Sequence, residues 1–518
     1  MDQSLEFARL ESKVMKIYRL LICALLVVLA AFLLAAASGK NLAARPTTNI
    51  SLFRSLQTQT KPQPTPAPTP ATQSATKSSL LISSFFRISQ SASASANRRA
   101  SSPAVAYNVD DNEYLAVWES DVFSEVQGVS DVYGQRINGA TNERIGVNFR
   151  ISNLTEGDRR HNANDPKVVY NRAAREYLVV WHGSGLVHAP DRFFEIYGQR
   201  ISRTGSEIGK DFRISHTTEL GKINTNVVRS NGQADVAWNS VNNEYLVIWK
   251  GMAEPEDFVK MEIYGQRVKA NGELAGKHFR ISHTTNQGSN FHADAPAIAY
   301  NSQGNQYFVV WTGGYKKEAQ TEVWGNLVSG GAGAPGGEDL RISDLSSTNQ
   351  CATSPQVSYN IAANQYLVVF QANPLASDAT PFVNNILGQR IDAGKPVEIQ
   401  TKYLRISNNT GVESLVGVPR VTYNPLNKEY LVLWPSTLAN APTEISGQRL
   451  SSSGSEIEAD FQISNIVSVG KDRSINDAGL AHNSTNGRYL VVWEGNALPE
   501  AASSKLYEIF GQQLSHPR

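Results

Sequence analysis

Histidine and carboxylate side chains concentrate in a few polar segments of this sequence. Seven of the nine histidines fall between residues 153 and 295, and six of these lie in segments that we predict to be loops, at His161, His182, His188, His216, His283 and His292. Imidazole and carboxylate groups together can bind a metal ion or act as a general acid–base pair. Two carboxylates can also cleave a glycosidic bond when a fold holds them at a suitable separation. The candidate ligand-binding residues are His161, Asp165, His182, His292 and Asp294.

The spacing of these residues does not by itself indicate a reaction. No pair of histidines has the spacing of a metal ligand set, and the triplet HTT at 216–218 returns at 283–285 as part of a repeat. We therefore favour solvated loop polarity over a metal site, and we predict no metal and no cofactor. The sequence identifies no catalytic residue, and we favour the interpretation that the protein is not an enzyme.

The elements that must position these residues belong to a unit that occurs seven times from residue 86 onward. Four phrases make up the unit, and their typical forms are FRIS, PxVxYN, EYLVVW and YGQR. Each is rich in β-branched and aromatic residues and is bounded by Gly, Asn, Asp or Pro, which is typical of β-strands. The EYLVVW phrase is apolar on both faces, as in a strand between two layers. The FRIS phrase alternates, with Arg150 and Ser152 opposite Phe149 and Ile151, as at a half-exposed edge.

Four strands per unit predict an all-β fold, a seven-bladed β-propeller of four-stranded blades over residues 81–518. The first FRIS phrase has no unit before it, and the last unit has no FRIS phrase after it. We therefore predict that residues 85–90 pair with the strand at 511–514 and close the ring. An open solenoid is the alternative, but it would need capping units, which the sequence does not show.

These phrases resemble the tandem repeats of bacterial exported β-propeller proteins over about residues 81–518. The resemblance implies a surface or secreted propeller, and it brings no catalytic motif to this chain. It therefore supports an interaction scaffold on the bacterial surface more directly than an enzyme.

A residue that is present in nearly every blade serves the fold, because recognition on a ring needs asymmetry. The Arg of the YGQR phrase occurs in five units, so we predict inter-blade hydrogen bonds rather than repeated anion sites. The Gly of the same phrase indicates a bulge or a close approach of backbone.

Loop lengths separate the two faces of the predicted ring. Six residues lie between the aromatic position of the PxVxYN phrase and the Tyr of the EYLVVW phrase in all units, while the segments after the Trp and before PxVxYN vary. Variable loops on a rigid scaffold are where binding usually occurs. We predict that this variable-loop face recognises a protein or a glycan. The alternative is an extracellular polysaccharide hydrolase or lyase, which would need carboxylates of raised pKa at the channel mouth.

The N-terminal part of the chain differs in composition. Residues 20–37 are 18 uninterrupted apolar residues, near the minimum for a membrane-spanning helix. Basic residues precede them, so residues 1–19 should stay cytoplasmic. The run of alanines at 35–37 also fits signal-peptide cleavage, and residues 20–38 are therefore either an anchor or a cleaved signal. Residues 39–80, rich in Pro, Thr and Ala, predict a disordered linker to an extracytoplasmic domain.

Composition limits the partners of the protein. The formal net charge is +1, from 48 basic and 47 acidic residues, which indicates no general affinity for nucleic acid and confines membrane contact to residues 20–37. The two cysteines, Cys23 and Cys351, lie in unlike segments and predict no disulfide. We expect a monomeric propeller stabilised by its packed core.

Overall fold

The computed structural model describes most of the repeat region. The described residues are 80–90, 99–121, 130–153, 162–184, 193–216, 229–254, 257–284, 291–315, 320–331, 337–345, 350–374, 384–394, 398–400, 402–408, 415–437, 441–466, 474–496 and 507–517. The predicted N-terminal apolar helix, the predicted linker up to residue 79 and His161 lie outside them. Within these ranges, no helix is long and apolar enough to cross a membrane.

The described chain forms seven sheets, which confirms the predicted seven-bladed β-propeller. From the inner strand outward, blade 1 contains the strands Ala100–Asn108, Glu113–Ser120, Asp131–Asn138 and Arg144–Arg150. Blade 2 contains Ala163–Asn171, Glu176–Gly183, Phe193–Ser202 and Glu207–Arg213. Blade 3 contains Gly232–Asn239, Glu244–Glu254, Asp257–Lys269 and Leu274–Arg280. Blade 4 contains Phe291–Asn301, Gln306–Tyr315, Gln320–Ser329 and Leu340–Arg341; blade 5 contains Gln350–Asn360, Gln365–Pro374, Asn385–Asp392 and an outer pair, Glu398–Ile399 and Leu404–Arg405. Blade 6 contains Leu415–Val416 with Arg420–Asn424, then Glu429–Thr437, Glu444–Ser451 and Glu456–Gln462; blade 7 contains Ile475–His482, Tyr489–Gly495 and Glu508–Ser515. A short strand, Arg229–Ser230, runs parallel to the third strand of blade 2.

Blade 7 takes its outer strands from the beginning of the described chain. Two short strands, Leu81–Ile82 and Phe86–Arg87, pair with the last strand in the register Leu81 to Ser515, Ile82 to Leu514, Phe86 to Gly511 and Arg87 to Phe510. The inner strands of blades 7 and 1 also lie against each other, as do those of every other pair of neighbouring blades. The ring is therefore closed by the N-terminal strand, as predicted.

The EYLVVW strands form the core between blades. In blade 2, all residues from Tyr177 to Trp181 are fully buried. Tyr177, Val179 and Trp181 pack in the cluster between blades 1 and 2. Leu178 and Val180 pack on the opposite side, in the cluster between blades 2 and 3. Each such large apolar side chain contributes roughly 1.5–3 kcal/mol on full burial, so alternate residues of one strand hold two neighbouring blades in place.

The FRIS strands are less exposed than their alternation predicts. Ser152 is fully buried, and its hydroxyl accepts the Val132 N–H (2.9 Å) and donates to the Asp131 carboxylate (3.0 Å). Arg150 pairs with the same carboxylate at 3.1 Å. The backbone contact of this serine recurs in the other six blades, at Ser89, Ser215, Ser282, Ser343, Ser407 and Ser464. The prediction that this serine lies at a half-exposed edge was wrong, because its hydroxyl binds the third strand of its own blade.

The YGQR phrase performs two structural roles. A Cβ atom at Gly134 would lie 2.9 Å from Cδ1 of Ile151, so the third strand and the FRIS side chains approach closely only because a glycine is present. Arg136 pairs with Glu113 of its own blade at 2.7 Å and donates to the Thr204 carbonyl of blade 2 at 3.0 Å. The predicted inter-blade hydrogen bond and the predicted close approach are both confirmed.

Candidate functional site

The inner strands border the channel, and each begins at the variable-loop end and finishes at a six-residue turn. Near its start the strand is interrupted by a bulge, whose residue has positive φ in blades 1 to 5: Ser102, Asp165, Gln233, Ala295 and Ser354. In blades 2 and 5, the residue after the Trp of the preceding blade binds this bulge. Glu119 accepts the Asp165 N–H at 2.7 Å, and Thr312 accepts the Ser354 N–H at 3.0 Å. Inter-blade hydrogen bonds therefore position the residues at this end of the channel.

Asp165 and His182, both predicted as site residues, lie together at the start of blade 2. His182 pairs in register with Asn164, the neighbour of Asp165. The Asp165 carboxylate forms an ion pair with Lys167. Burial alone would raise the pKa of Asp165, but the Lys167 ammonium and the nearby His182 and Arg420 hold it below its usual value. Burial lowers the pKa of His182 and favours its neutral imidazole, although the Asp165 and Glu119 carboxylates act in the opposite direction.

His292 and Asp294, the other two described candidates, lie on the inner strand of blade 4. Asp294 accepts a charged hydrogen bond from Lys250 of blade 3 at 3.0 Å and the Ala295 N–H at 2.8 Å. His292 lies two residues away, opposite Gly314 of the second strand. Because blade 3 separates blades 2 and 4, the predicted residues form two groups along the channel wall rather than one.

Three charged residues of the inner strands were missed by the sequence reasoning. They occupy the position after the Pro of the PxVxYN phrase, where the blades carry in turn Ala104, Lys167, Asp235, Ala297, Gln356, Arg420 and Gly479. Asp235 accepts the Ile298 N–H of blade 4 at 3.1 Å. Arg420 donates to the Ala478 carbonyl at 2.8 Å and pairs with Asp477 of blade 7 at 2.8 Å. The signal was available, since charge varies sharply here within an otherwise repeated strand.

The cationic side chains of Lys167 and Arg420 act on both Asp165 and Asp235, yet the pKa of Asp165 is lowered and the pKa of Asp235 is raised. Burial raises the pKa of Asp235 to about 6, although Lys167 and Arg420 act in the opposite direction. The same two side chains contribute to the lowered pKa of Asp165. Carboxyl groups whose pKa values are moved apart can serve as an acid and a base. We call Asp165, Lys167, His182, Asp235 and Arg420 the channel-mouth cluster.

The described residues include no group of three or more His, Cys, Asp or Glu side chains that is arranged to hold a metal ion. The side chains of the channel-mouth cluster can form hydrogen bonds, pair charges and transfer protons.

No family model and no curated protein sequence matches this chain. Among solved structures, it is similar to the α-L-arabinofuranosidase Arb93A from Fusarium graminearum, at 11% identity and a TM-score of 0.42, over 67% of this chain and 91% of that chain. It is also similar to the Hadza microbial sialidase Hz136, at 10% identity and a TM-score of 0.44, over 78% and 76%. A third is prolyl oligopeptidase B from Galerina marginata, at 10% identity and a TM-score of 0.42, over 80% and 50%. Similarity at this level assigns no activity to the chain.

Proposed function

We propose that this protein is an extracytoplasmic propeller that binds a carbohydrate at the channel end beneath its variable loops. The observation that carries the proposal is the break in the sevenfold repeat, where Lys167, Asp235 and Arg420 replace the small or amide side chains of other blades. Recognition on a ring requires such asymmetry, and a few convergent polar groups on a rigid scaffold usually fix the orientation of a ligand. The apolar segment 20–37 and the resemblance to bacterial exported propellers support the location.

A carbohydrate suits these groups better than a protein surface does. The charged side chains lie on the inner strands, which border the channel, so a ligand must enter the channel to reach them. A sugar residue presents hydroxyl groups that can donate to carboxylates and accept from Lys167 or Arg420. A folded protein partner would instead contact the loops around the mouth.

The test is a glycan-array measurement on the purified full-length protein, followed by titration of the glycans that bind. The variant Lys167→Gln should weaken binding by about 1–3 kcal/mol, because it removes a charged hydrogen-bond donor. The matched control is Lys277→Gln, at an exposed position on the outer strand of blade 3, which should bind as the wild type does. Equal losses in both variants, or binding of no glycan on the array, would reject the proposal.

A second candidate function, glycoside hydrolysis, is favoured by the opposite pKa displacements of Asp165 and Asp235. In such a reaction the protonated Asp235 would donate its proton to the leaving oxygen as the glycosidic bond breaks. The ionised Asp165 would either take a proton from the attacking water or attack the anomeric carbon itself, and water would then hydrolyse the glycosyl ester.

Assays with 4-nitrophenyl glycosides matched to the glycans that bind would separate the two functions. For a hydrolase, Asp165→Asn and Asp235→Asn should each lower turnover by roughly 10²–10⁴-fold while binding persists. Glycan binding by the wild type without any turnover would reject hydrolysis and leave the binding proposal in place.

A further inference from the structure

A cavity of about 470 Å³ lies at the other end of the channel, beside the six-residue turns. Its wall comes from blades 1, 2, 3, 6 and 7 and is mainly apolar, with Ala106, Val168, Val169, Leu480 and Ala481 among its residues. This volume falls in the range of small-molecule sites, which are usually apolar with a few polar groups. The cavity is separate from the channel-mouth cluster, none of whose residues borders it.

Aromatic side chains complete the wall, and their polar atoms bind the turns. The Tyr170 hydroxyl donates to Asp110 at 2.6 Å, and the Tyr107 hydroxyl donates to Asn112 at 2.9 Å. Nε1 of Trp238 donates to Asn243 at 3.3 Å. Because these donors are already engaged, the three rings contribute apolar surface to the cavity.

Among the described residues of this wall, an uncharged polar pair interrupts the apolar surface, and the exposed Ser484 lies at the edge. Oγ1 of Thr422 in blade 6 lies 3.1 Å from Nδ1 of His482 in blade 7. Burial lowers the pKa of His482 to about 4, so the imidazole is neutral at pH 7. The charged residue of the wall is Arg172, whose side chain is 67% exposed and faces Asp110 at 3.6 Å. It therefore stands at the rim rather than inside.

Two departures from the repeat coincide with this cavity. The aromatic position of the PxVxYN phrase is Tyr in five blades, whereas blade 3 has Trp238 and blade 7 has His482. Both replacements border the cavity. An asymmetry of this kind is what a ligand site on a repetitive ring requires, and the fold alone does not call for it, since Tyr serves in the other blades.

We propose that this cavity binds an uncharged, largely apolar small molecule that carries one hydrogen-bonding group towards His482 and Thr422. A charged ligand would lose its hydration without gaining a buried counter-charge in the wall. A sugar would place unpaired hydroxyl groups against Val and Leu side chains. The ligand class thus differs from that of the channel-mouth cluster, and the proposal does not depend on the function proposed there.

The experiment uses benzophenone, an uncharged aromatic ketone, as a photoaffinity probe for the full-length protein. After irradiation, mass spectrometry of peptides should find saturable labelling in the segments 103–109, 166–172 and 480–484. Peptide mapping also separates this site from simple partition of the probe into the apolar segment 20–37. Labelling that is confined to 20–37, or that is spread over the chain without saturation, would overturn the proposal.

The variants provide a matched comparison at one position of the inner strand. Ala106→Leu fills the cavity and should reduce labelling at least tenfold, while Ala299→Leu makes the same change in blade 4, away from the cavity, and should label as the wild type does. Thr422→Val preserves side-chain shape and removes the hydroxyl, so it should reduce labelling several-fold even if Ala106→Leu fails to fold. Unchanged labelling in Thr422→Val, or equal labelling in the two alanine variants, would contradict the assignment.

Discussion

Individual buried polar residues in this propeller are positioned by contacts between strands, and some of them are costly to ionise. Asp211, on the outer strand of blade 2, accepts the Asn153 N–H at 2.6 Å. Burial raises its pKa to about 7, well above the usual range of an aspartate. The folded state therefore binds more protons at this group than the unfolded state between about pH 4 and pH 7.

This difference predicts the pH dependence of one substitution. Because the pKa of Asp211 is higher in the folded state than in the unfolded state, ionisation of this group lowers the free energy of unfolding as the pH rises from about 4 to about 7. Asp211→Asn should therefore raise the free energy of unfolding by about 1–3 kcal/mol at pH 8 and by almost nothing at pH 4. Urea unfolding at the two pH values measures this. A gain of equal size at both would show that ionisation of Asp211 is not the cause.

The buried serine of the FRIS phrase makes a second prediction at the scale of one residue. Ser152→Ala leaves the Val132 N–H without its acceptor and the Asp131 carboxylate without one donor. The free energy of unfolding should fall by about 1–3 kcal/mol, the usual cost of unsatisfied buried groups. Ser453→Ala, in an exposed turn, is the control and should change stability by less than about 0.5 kcal/mol. Equal effects in denaturant unfolding would contradict the role of this serine.

At the scale of elements, the N-terminal strands complete blade 7. Residues 81–90 pack Ile82 and Phe85 against one buried cluster, place Ile88 in another and bind Ser89 to the buried Glu508 carboxylate. Deleting residues 81–90 would expose these partners together with the edge of the last strand.

We expect that deletion to lower the free energy of unfolding by several kcal/mol, because the packing of a whole strand is lost. Thermal unfolding of the full-length protein measures the effect. Deleting residues 61–70, an equal length of the predicted linker, provides the control and should leave the melting temperature unchanged. If both deletions melt with the wild type, the strand does not stabilise the ring.

At the scale of the whole molecule, the two ends of the channel should differ in what they bind. Asp294→Ala, at the variable-loop end, should weaken carbohydrate binding by about 1–3 kcal/mol through loss of a charged hydrogen-bonding group. Asn427→Ala, in a six-residue turn at the opposite end, should leave that binding unchanged. Titration calorimetry with a glycan identified on the array compares the two variants. Stronger loss in Asn427→Ala would move the carbohydrate site to the turn face.

The number of blades, the order of strands and the closure of the ring could all be predicted from the sequence. Each phrase carries its own alternation, its own turn residues and its own glycine, so these features depend on local preferences repeated seven times. The role of Arg136 followed from the same logic, because a side chain repeated around a ring is required by the repeated contact. At this level the structure corrected the sequence prediction for the buried Ser152, whose partner Asp131 lies on another strand.

Which charged residues share the channel was decided only by the tertiary structure. Lys167, Asp235 and Arg420 are separated by 68 and 185 residues along the chain, yet Lys167 and Arg420 act on the same carboxyl groups. No local pattern encodes such a meeting, since it depends on the radius of the closed ring and on which blades face one another. For the same reason the cavity bordered by Trp238 and His482 was not predicted: each replacement is unremarkable within its own unit, and only closure brings both to one wall.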